Sequence, residues 1–307
     1  MQATLWRWSG PVLWLLGLLV PWMLSANWIS ILGIFAIYAI VALSLDIVLG
    51  RAGMYDMGHA VYFGIGAYVT AILNVSYGVP ILLTLPIAAL LAALAGLVLA
   101  FPIVKLRGDY LLVATVGFNE IFRLVMVNDI FGLTGGPNGL YGIGAPSLFG
   151  WELDSQEALF YLDWFTLGLV LVLLRNLEHS RFGRAIRYLR EDELAAATLG
   201  LNPRFYKVLA FALGAGIAGI AGTLFATQLS AVSPNAFDFA ISVTFFAIVV
   251  VGGQASIPGV LLGTVLMFIV PGVFRQLADY RYLFFGAAMI GVMILRPQGI
   301  WPRRQGA

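Results

Sequence analysis

Ten runs of apolar residues, divided by polar stretches, constrain this chain more than anything else in it. They cover residues 11–24, 28–49, 57–73, 81–104, 111–127, 158–174, 205–229, 237–251, 258–274 and 282–295. At a rise of about 1.5 Å per residue most are long enough to cross a hydrocarbon layer about 30 Å thick, although the eighth looks short. None alternates apolar and polar residues, and backbone groups in hydrocarbon must be satisfied within their own segment. Helices rather than barrel strands are therefore expected. Only 10% of the residues are charged, against roughly 25% in a soluble domain. The expected fold is an all-α, polytopic, integral membrane helical bundle of about ten transmembrane helices.

Lys and Arg collect in cytoplasmic loops, which orients the bundle. Residues 175–207 hold Arg175, Arg181, Arg184, Arg187, Arg190, Arg204 and Lys207, against the acids Glu178, Glu191, Asp192 and Glu193. Residues 128–164 hold Asp129, Glu152, Asp154, Glu157 and Asp163, with no Lys or Arg. The first stretch is expected inside and the second outside. Lys105 and Arg107 mark another inner loop, and Arg296, Arg303 and Arg304 mark an inner C-terminus, so both termini are expected to be cytoplasmic. Arg275 and Arg281 fall outside in this scheme and fit it poorly. Arg7, the apolar stretch after it and Leu24-Ser25-Ala26 also fit a signal peptide, but Trp28 opens the next run almost at once. No Ser/Gly-rich linker divides the chain, so residues 1–307 are expected to form one membrane domain.

Three groups of polar residues stand out. Asn119, Glu120 and Arg123 lie in the fifth run at i, i+3 and i, i+4 spacings that let them cluster on one side. Ionisable groups at mid-bilayer cost at least about 2.5–3.5 kcal/mol each unless they face protein or water. The trio therefore either lines a solute path or forms an internal pair that orients helices. Asp46, Arg51, Asp56 and His59 surround Gly50, Gly53 and Gly58, where the second run gives way to the third. Two ion pairs around a glycine break fit a broken helix near the pathway, or a plain inner turn. His59 taken alone reads as a hydrogen-bonded structural residue, since His179 is in a different loop and no second histidine stands at metal-ligand spacing.

Residues 180–204 form the third group. Phe182, Ile186 and Leu189 fall at i, i+4, i+7, and Leu194-Ala195-Ala196-Ala197 favours helix, so 182–199 is expected to be one amphipathic helix. Gly200 stops it, and Asn202-Pro203 caps and opens the next span. Such a helix either rests on anionic lipid headgroups or docks a cytosolic partner, and spacing alone does not choose.

Glycines carry packing and turn signals. Ala215/Gly219 and Ala218/Gly222 are small-xxx-small pairs in the seventh run, which let helices approach closely. Gly132, Gly135, Gly136, Gly139, Gly142 and Gly144, with Pro137, read as external turns. Gly252-Gly253 and Pro258-Gly259 make a late break on the same side as the one at Gly50, so the two are not paired as an inverted repeat.

Absences narrow the function. Lys105 and Lys207, the only lysines, follow Val104 and Tyr206, so there is no Gly-Lys-Ser/Thr phosphate loop and the chain is not a P-loop ATPase. No Gly-x-Ser-x-Gly or His-Glu-x-x-His motif is present, which argues against an intramembrane hydrolase. The chain has no cysteine, and its formal charge of +2 implies no nucleic-acid partner.

Lys105-Leu106-Arg107-Gly108-Asp109-Tyr110, followed by Thr115-Val116-Gly117-Phe118-Asn119-Glu120-Ile121, resembles the LivM-type permease subunits of branched-chain amino-acid ABC transporters. Leu133-Thr134-Gly135-Gly136-Pro137-Asn138-Gly139 and the stretch from Arg181-Phe182-Gly183-Arg184 through Arg190-Glu191-Asp192-Glu193 to Gly200 are similar to the same family. The likeness spans roughly residues 30–300. It implies a non-enzymatic permease of the bacterial inner membrane that forms a pathway with a second, related permease. Two cytosolic subunits would bind ATP and Mg, and an extracytoplasmic protein would deliver the solute. The resemblance also implies that residues 180–204 carry the docking helix, with Arg190, Glu191, Glu193, Ala195, Ala196 and Gly200 as its coupling residues. The family's Glu-Ala-Ala-x-x-x-Gly spacing fits Ala195, Ala196 and Gly200, but the acid is Glu193 and position 194 is Leu. Asn119, Glu120, Arg123, Asp56 and His59 are then the candidate pathway residues. Urea or amide permeases of the same group, and a stand-alone ion-coupled carrier, are the alternatives.

Overall fold

The computed structural model describes residues 14, 17–106, 108–130, 132–148, 151–269, 281–296 and 298–302. In chain order its α-helices of six or more residues are α1 (Ala26–Asp46), α2 (Ala60–Tyr77), α3 (Ile81–Ile103), α4 (Asp109–Asn128), α5 (Gln156–His179), α6 (Arg181–Glu191), α7 (Glu193–Thr198), α8 (Pro203–Leu229), α9 (Phe239–Gly252), α10 (Ile257–Thr264) and α11 (Arg281–Leu295). Among the described residues seven stretches are long and apolar enough to cross a bilayer, and they correspond to the second through eighth apolar runs. The eighth gains its length from a 3-10 turn, Pro234–Phe237, laid against the start of α9. The ninth run is α10 with a π turn, Val265–Ile269, and the tenth is α11. Part of the first run lies outside the described residues, as do Arg107, Arg275, Arg303, Arg304 and the Arg281 side chain.

Helix α8 is the central post. It packs against α3, α2 and α1, and small residues set how closely. A Cβ built on Gly219 would lie 2.6 Å from Ala92 Cβ of α3, and one on Gly222 would collide with the Phe63 carbonyl oxygen of α2. The small-residue pairs thus act as expected, letting backbones meet where hydrocarbon gives side chains no advantage. Across the same contact the hydroxyls of Thr84, Thr70 and Thr223 stand in a row, 3.2 and 2.8 Å apart. Phe63, Phe225, Phe237 and Phe245 fill the space beside it with edge-on and tilted rings.

The basic stretches gather at one end of the bundle. The C-terminal end of α3 meets the start of α8, where the Arg204 guanidinium lies 3.9 Å from the Phe101 ring. Residues 299–302 lie against the end of α9, with Ile300 N donating to Val251 O and Trp301 N to Gly252 O. At the opposite end two short antiparallel ribbons join the connections, Leu140–Tyr141 with Ala231–Val232 and Ser147–Leu148 with Trp151–Glu152. Asp163, counted from sequence among the loop acids, is instead buried two turns inside α5.

Candidate functional site

The break after α1 is built around a carboxylate. Helix α1 runs into a π turn, Ile47–Arg51, and the chain reverses through Gly53 at φ +70°. Asp46 is fully buried. Its Oδ2 lies 3.3 Å from Arg51 Nε, while its Oδ1 accepts the Ala255 N–H at 2.7 Å. Arg51 continues to Glu178 at the end of α5, 3.0 Å away. Gly50 is required here, because a Cβ would overlap Asp46 Oδ1. Ala255 belongs to the second break, between α9 and α10, where Gly253 and Ala255 have φ of +127° and +57°. The two glycine breaks, expected on one side of the membrane, are therefore in direct contact.

Asp56 and His59 form a separate buried set. His59 Nδ1 lies 2.9 Å from Asp56 Oδ2, and its Nε2 lies 2.9 Å from Ser44 Oγ on α1. The order Ser–His–Asp suggests a nucleophile, but Ser44 is fully buried and also lies 2.7 Å from the Val41 carbonyl. A serine without substrate access acts as a structural strut. Asp56 Oδ1 meanwhile accepts the Gly58 N–H at 2.8 Å, closing a turn just before α2.

The trio on α4 divides. Asn119 is buried, donating to Phe237 O at 3.3 Å and accepting from Ser242 Oγ at 3.2 Å. Glu120 and Arg123 instead pair with each other, 2.5 Å apart, with 46% and 30% of their side chains exposed. The single cluster expected from spacing does not form. Successive helical residues point about 100° apart, and the long Arg123 side chain reaches Glu120. Only Leu111, Thr115, Asn119 and Phe122 of α4 are buried, so the helix touches its own bundle along one stripe. Gly117, on the outer side, has nothing near it.

Residues 180–200 form two helices, not one. Asp192 adopts an extended backbone and accepts the N–H groups of Leu194 and Ala195, both at 3.0 Å, so it ends α6 and caps α7. The expected apolar face of α6 does turn inward through Ile186 and Leu189, with Phe182 beside Tyr206. Arg190, placed from sequence among the docking residues, points into the membrane domain. Its Nη1 donates to Gly50 O and its Nη2 to Gln254 Oε1 at 3.1 Å, so one guanidinium touches both breaks. Glu193 pairs with Lys207 of α8 at 2.8 Å. Ala196 is buried, whereas Glu191, Ala195 and Gly200 are exposed, and Gly200 ends the segment at φ +86°. Leu194 and Leu199 project with 74% and 80% of their surface exposed.

Ser242, Gln254 and Ala255 escaped the sequence reading. Ser242 accepts the Ala60 N–H at 3.2 Å while donating to Asn119, which ties α2, α4 and α9 together. A lone serine in an apolar run gives no warning of this. Gln254 does carry one signal, as a long amide directly after a Gly-Gly break.

At the opposite end Asp129, just past α4, anchors the Thr-Gly-Gly-Pro-Asn-Gly turn. Its Oδ1 accepts the Thr134 N–H at 2.7 Å and lies 2.9 Å from the Thr134 hydroxyl. These bonds, the backbone one foremost, hold its carboxyl below the usual range. The anchorage is complete above the free value of about 4 and fades as pH falls through the lower folded value. Amide protection in residues 132–139, measured against the intrinsic exchange rate at each pH, is expected to fall in strong acid, and Asp129→Ala should show the low protection already at pH 7.

A polytopic helical membrane protein with helices broken at one face and an ion pair on an outer flank has the form of a transport subunit. Residues 27–293 match the family described as branched-chain amino acid transport system / permease component. The chain is 40% identical to the high-affinity branched-chain amino acid transport system permease protein LivM of Escherichia coli (strain K12), over 92% of this chain and 72% of that one. It is 26% identical to the probable LivM of Methanocaldococcus jannaschii, over 88% and 92% of the two chains. It is also 26% identical to LivH of Salmonella typhimurium, over 87% and 91%. No solved structure matches. The chain belongs to the family of branched-chain amino acid transport permeases.

Proposed function

We propose that this chain is the transmembrane permease subunit of an ATP-driven importer for branched-chain or other small hydrophobic amino acids. It sits in a bacterial inner membrane with about ten crossings and both termini inside. A second, related permease completes the pathway, two cytosolic subunits bind ATP and Mg, and an extracytoplasmic protein delivers solute. The observation that carries this reading is the Glu120–Arg123 pair on the outer flank of α4. An ion pair at mid-span needs protein or water beside it, and its own bundle turns away, so another chain must enclose that water. An amino acid carries one charge of each sign, and this pair offers a complement to both.

Energy enters from the other face. Leu194 and Leu199 give α7 an apolar tip that suits burial in a cytosolic partner. When ATP closes the two motor subunits they push α6 and α7. Arg190 carries that push to the π turn after α1 and to the break before α10, and the attached helices tilt to switch access. Asp56 and His59 contribute by keeping the start of α2 fixed to α1.

Reconstituted vesicles supplied with ATP and offered leucine or urea test the assignment. Leucine uptake that requires ATP supports it, and urea uptake moves the chain to the urea branch. Uptake driven by a proton or sodium gradient without any motor subunit would sink it. In the same vesicles Glu120→Gln is expected to lower leucine uptake about two- to fivefold, the scale of one partly exposed ion pair, with the motor still attached. Wild-type uptake would return the pair to a packing role.

A further inference from the structure

We infer that Asp163 is a proton-binding site inside the bundle, its carboxyl O–H donating to the side-chain oxygen of Gln228 beside Gly33. The site lies away from α6 and α7, where α1, α5 and the last turn of α8 come together. Asp163 is only 2% exposed, and its Oδ2 has no hydrogen-bond partner. Gln228 Oε1 likewise has none. The two side chains share one space, kept open by a glycine: a Cβ on Gly33 would lie 3.2 Å from Asp163 Oδ2 and 3.5 Å from Gln228 Nε2. A half-turn of the amide brings its oxygen to the Asp163 side.

Asp163 Oδ2 and Gln228 Oε1 are each buried without a partner, and once the amide has turned its oxygen toward the carboxyl a single proton satisfies both. Among the described residues an ionised carboxylate would have no counter-charge beside it. On α1 the only charged residue is Asp46, at the far end, and on α8 the charges are Arg204 and Lys207, also at the far end. On α5 the neighbouring titratable groups are Glu157 in the exposed first turn and Tyr161. The Tyr161 hydroxyl lies 3.3 Å from Leu18 O and accepts from Trp22 Nε1 at 3.2 Å, so it faces the preceding segment. That segment carries one charge, Arg7, outside the described residues. A hard metal ion takes about six or more oxygens, far beyond what these two side chains offer. A buried carboxyl in such surroundings takes up a proton from solvent and becomes neutral. The inference concerns this chain alone and does not depend on the transport reading.

Infrared spectroscopy of the complete complex in lipid tests it. At pH 7 surface carboxyls are ionised, since their free values lie near about 4, so a carboxylic C=O stretch reports a buried protonated acid. The wild type is expected to show such a band, Asp163→Asn to lose it, and Gln228→Leu to shift it by removing the acceptor. Should Asp163→Asn fail to assemble, the Gln228→Leu shift decides alone. A carboxylic region identical in the wild type and both variants overturns the proposal, as does a carboxylate band at Asp163 that responds to sodium.

Discussion

Replacing Arg190 by Ala is expected to cut solute uptake by about tenfold or more while the motor subunits continue to hydrolyse ATP. The side chain makes two charge-assisted hydrogen bonds, to Gly50 O and to Gln254 Oε1, and so joins α6 to both breaks at once. Such bonds are worth about 1.5–3 kcal/mol each when enclosed. Arg190 is exposed, so each bond counts for less than that, yet about 1.4 kcal/mol from the two together is already a factor of ten. Gly53 packs against the same side chain: a Cβ there would lie 3.0 Å from Arg190 Cγ. Arg190→Lys is expected to rescue little, because an ammonium on a single stem does not span two acceptors the way a guanidinium fork does. The measurement is ATP-dependent uptake beside ATP hydrolysis in the same vesicles. Parallel loss of both would assign Arg190 to assembly, and unchanged uptake would remove it from the coupling path.

Arg190 also marks where sequence reading stopped. The apolar runs, the placing of both breaks at one end of the bundle and the inward face of α6 were legible, because each rests on a periodicity or a charge bias within one segment. Asp192 was legible in principle: a residue that accepts N–H groups two and three positions ahead competes with helix, yet the alanines after it outweighed that signal. The contact between the two breaks was not legible. It joins Asp46 to a backbone N–H more than two hundred positions away, and no local pattern encodes a partner at that distance. The division of the α4 trio was not legible for a different reason. Helical spacing gives the angle at which a side chain leaves the backbone, while the direction of a long arginine is set by the carboxylate it finds.

Asp46→Ala is expected to destabilise the folded chain by about 3–5 kcal/mol, the usual cost of removing one partner from a buried ion pair. The carboxylate satisfies two groups, the Arg51 guanidinium and the Ala255 N–H. Arg51, with 8% of its side chain exposed, would keep only Glu178, which is itself 20% exposed. Arg51 Nη2 already lacks a hydrogen-bond partner, so the guanidinium has little reserve. The Ala255 N–H, held at φ +57°, would lose its acceptor, and nothing would then offset that left-handed backbone. Asp46→Asn keeps an oxygen for Ala255 but removes the charge, and should fall between Ala and wild type. Replacing both partners, Asp46→Leu with Arg51→Met, should recover much of the loss, since the penalty lies in the abandoned guanidinium rather than in the missing attraction. Thermal unfolding of the purified chain in detergent orders the four proteins. If Asp46→Ala melted with the wild type, the contact between the two breaks would not be what holds them together, and Arg190 would be pulling on two independent turns.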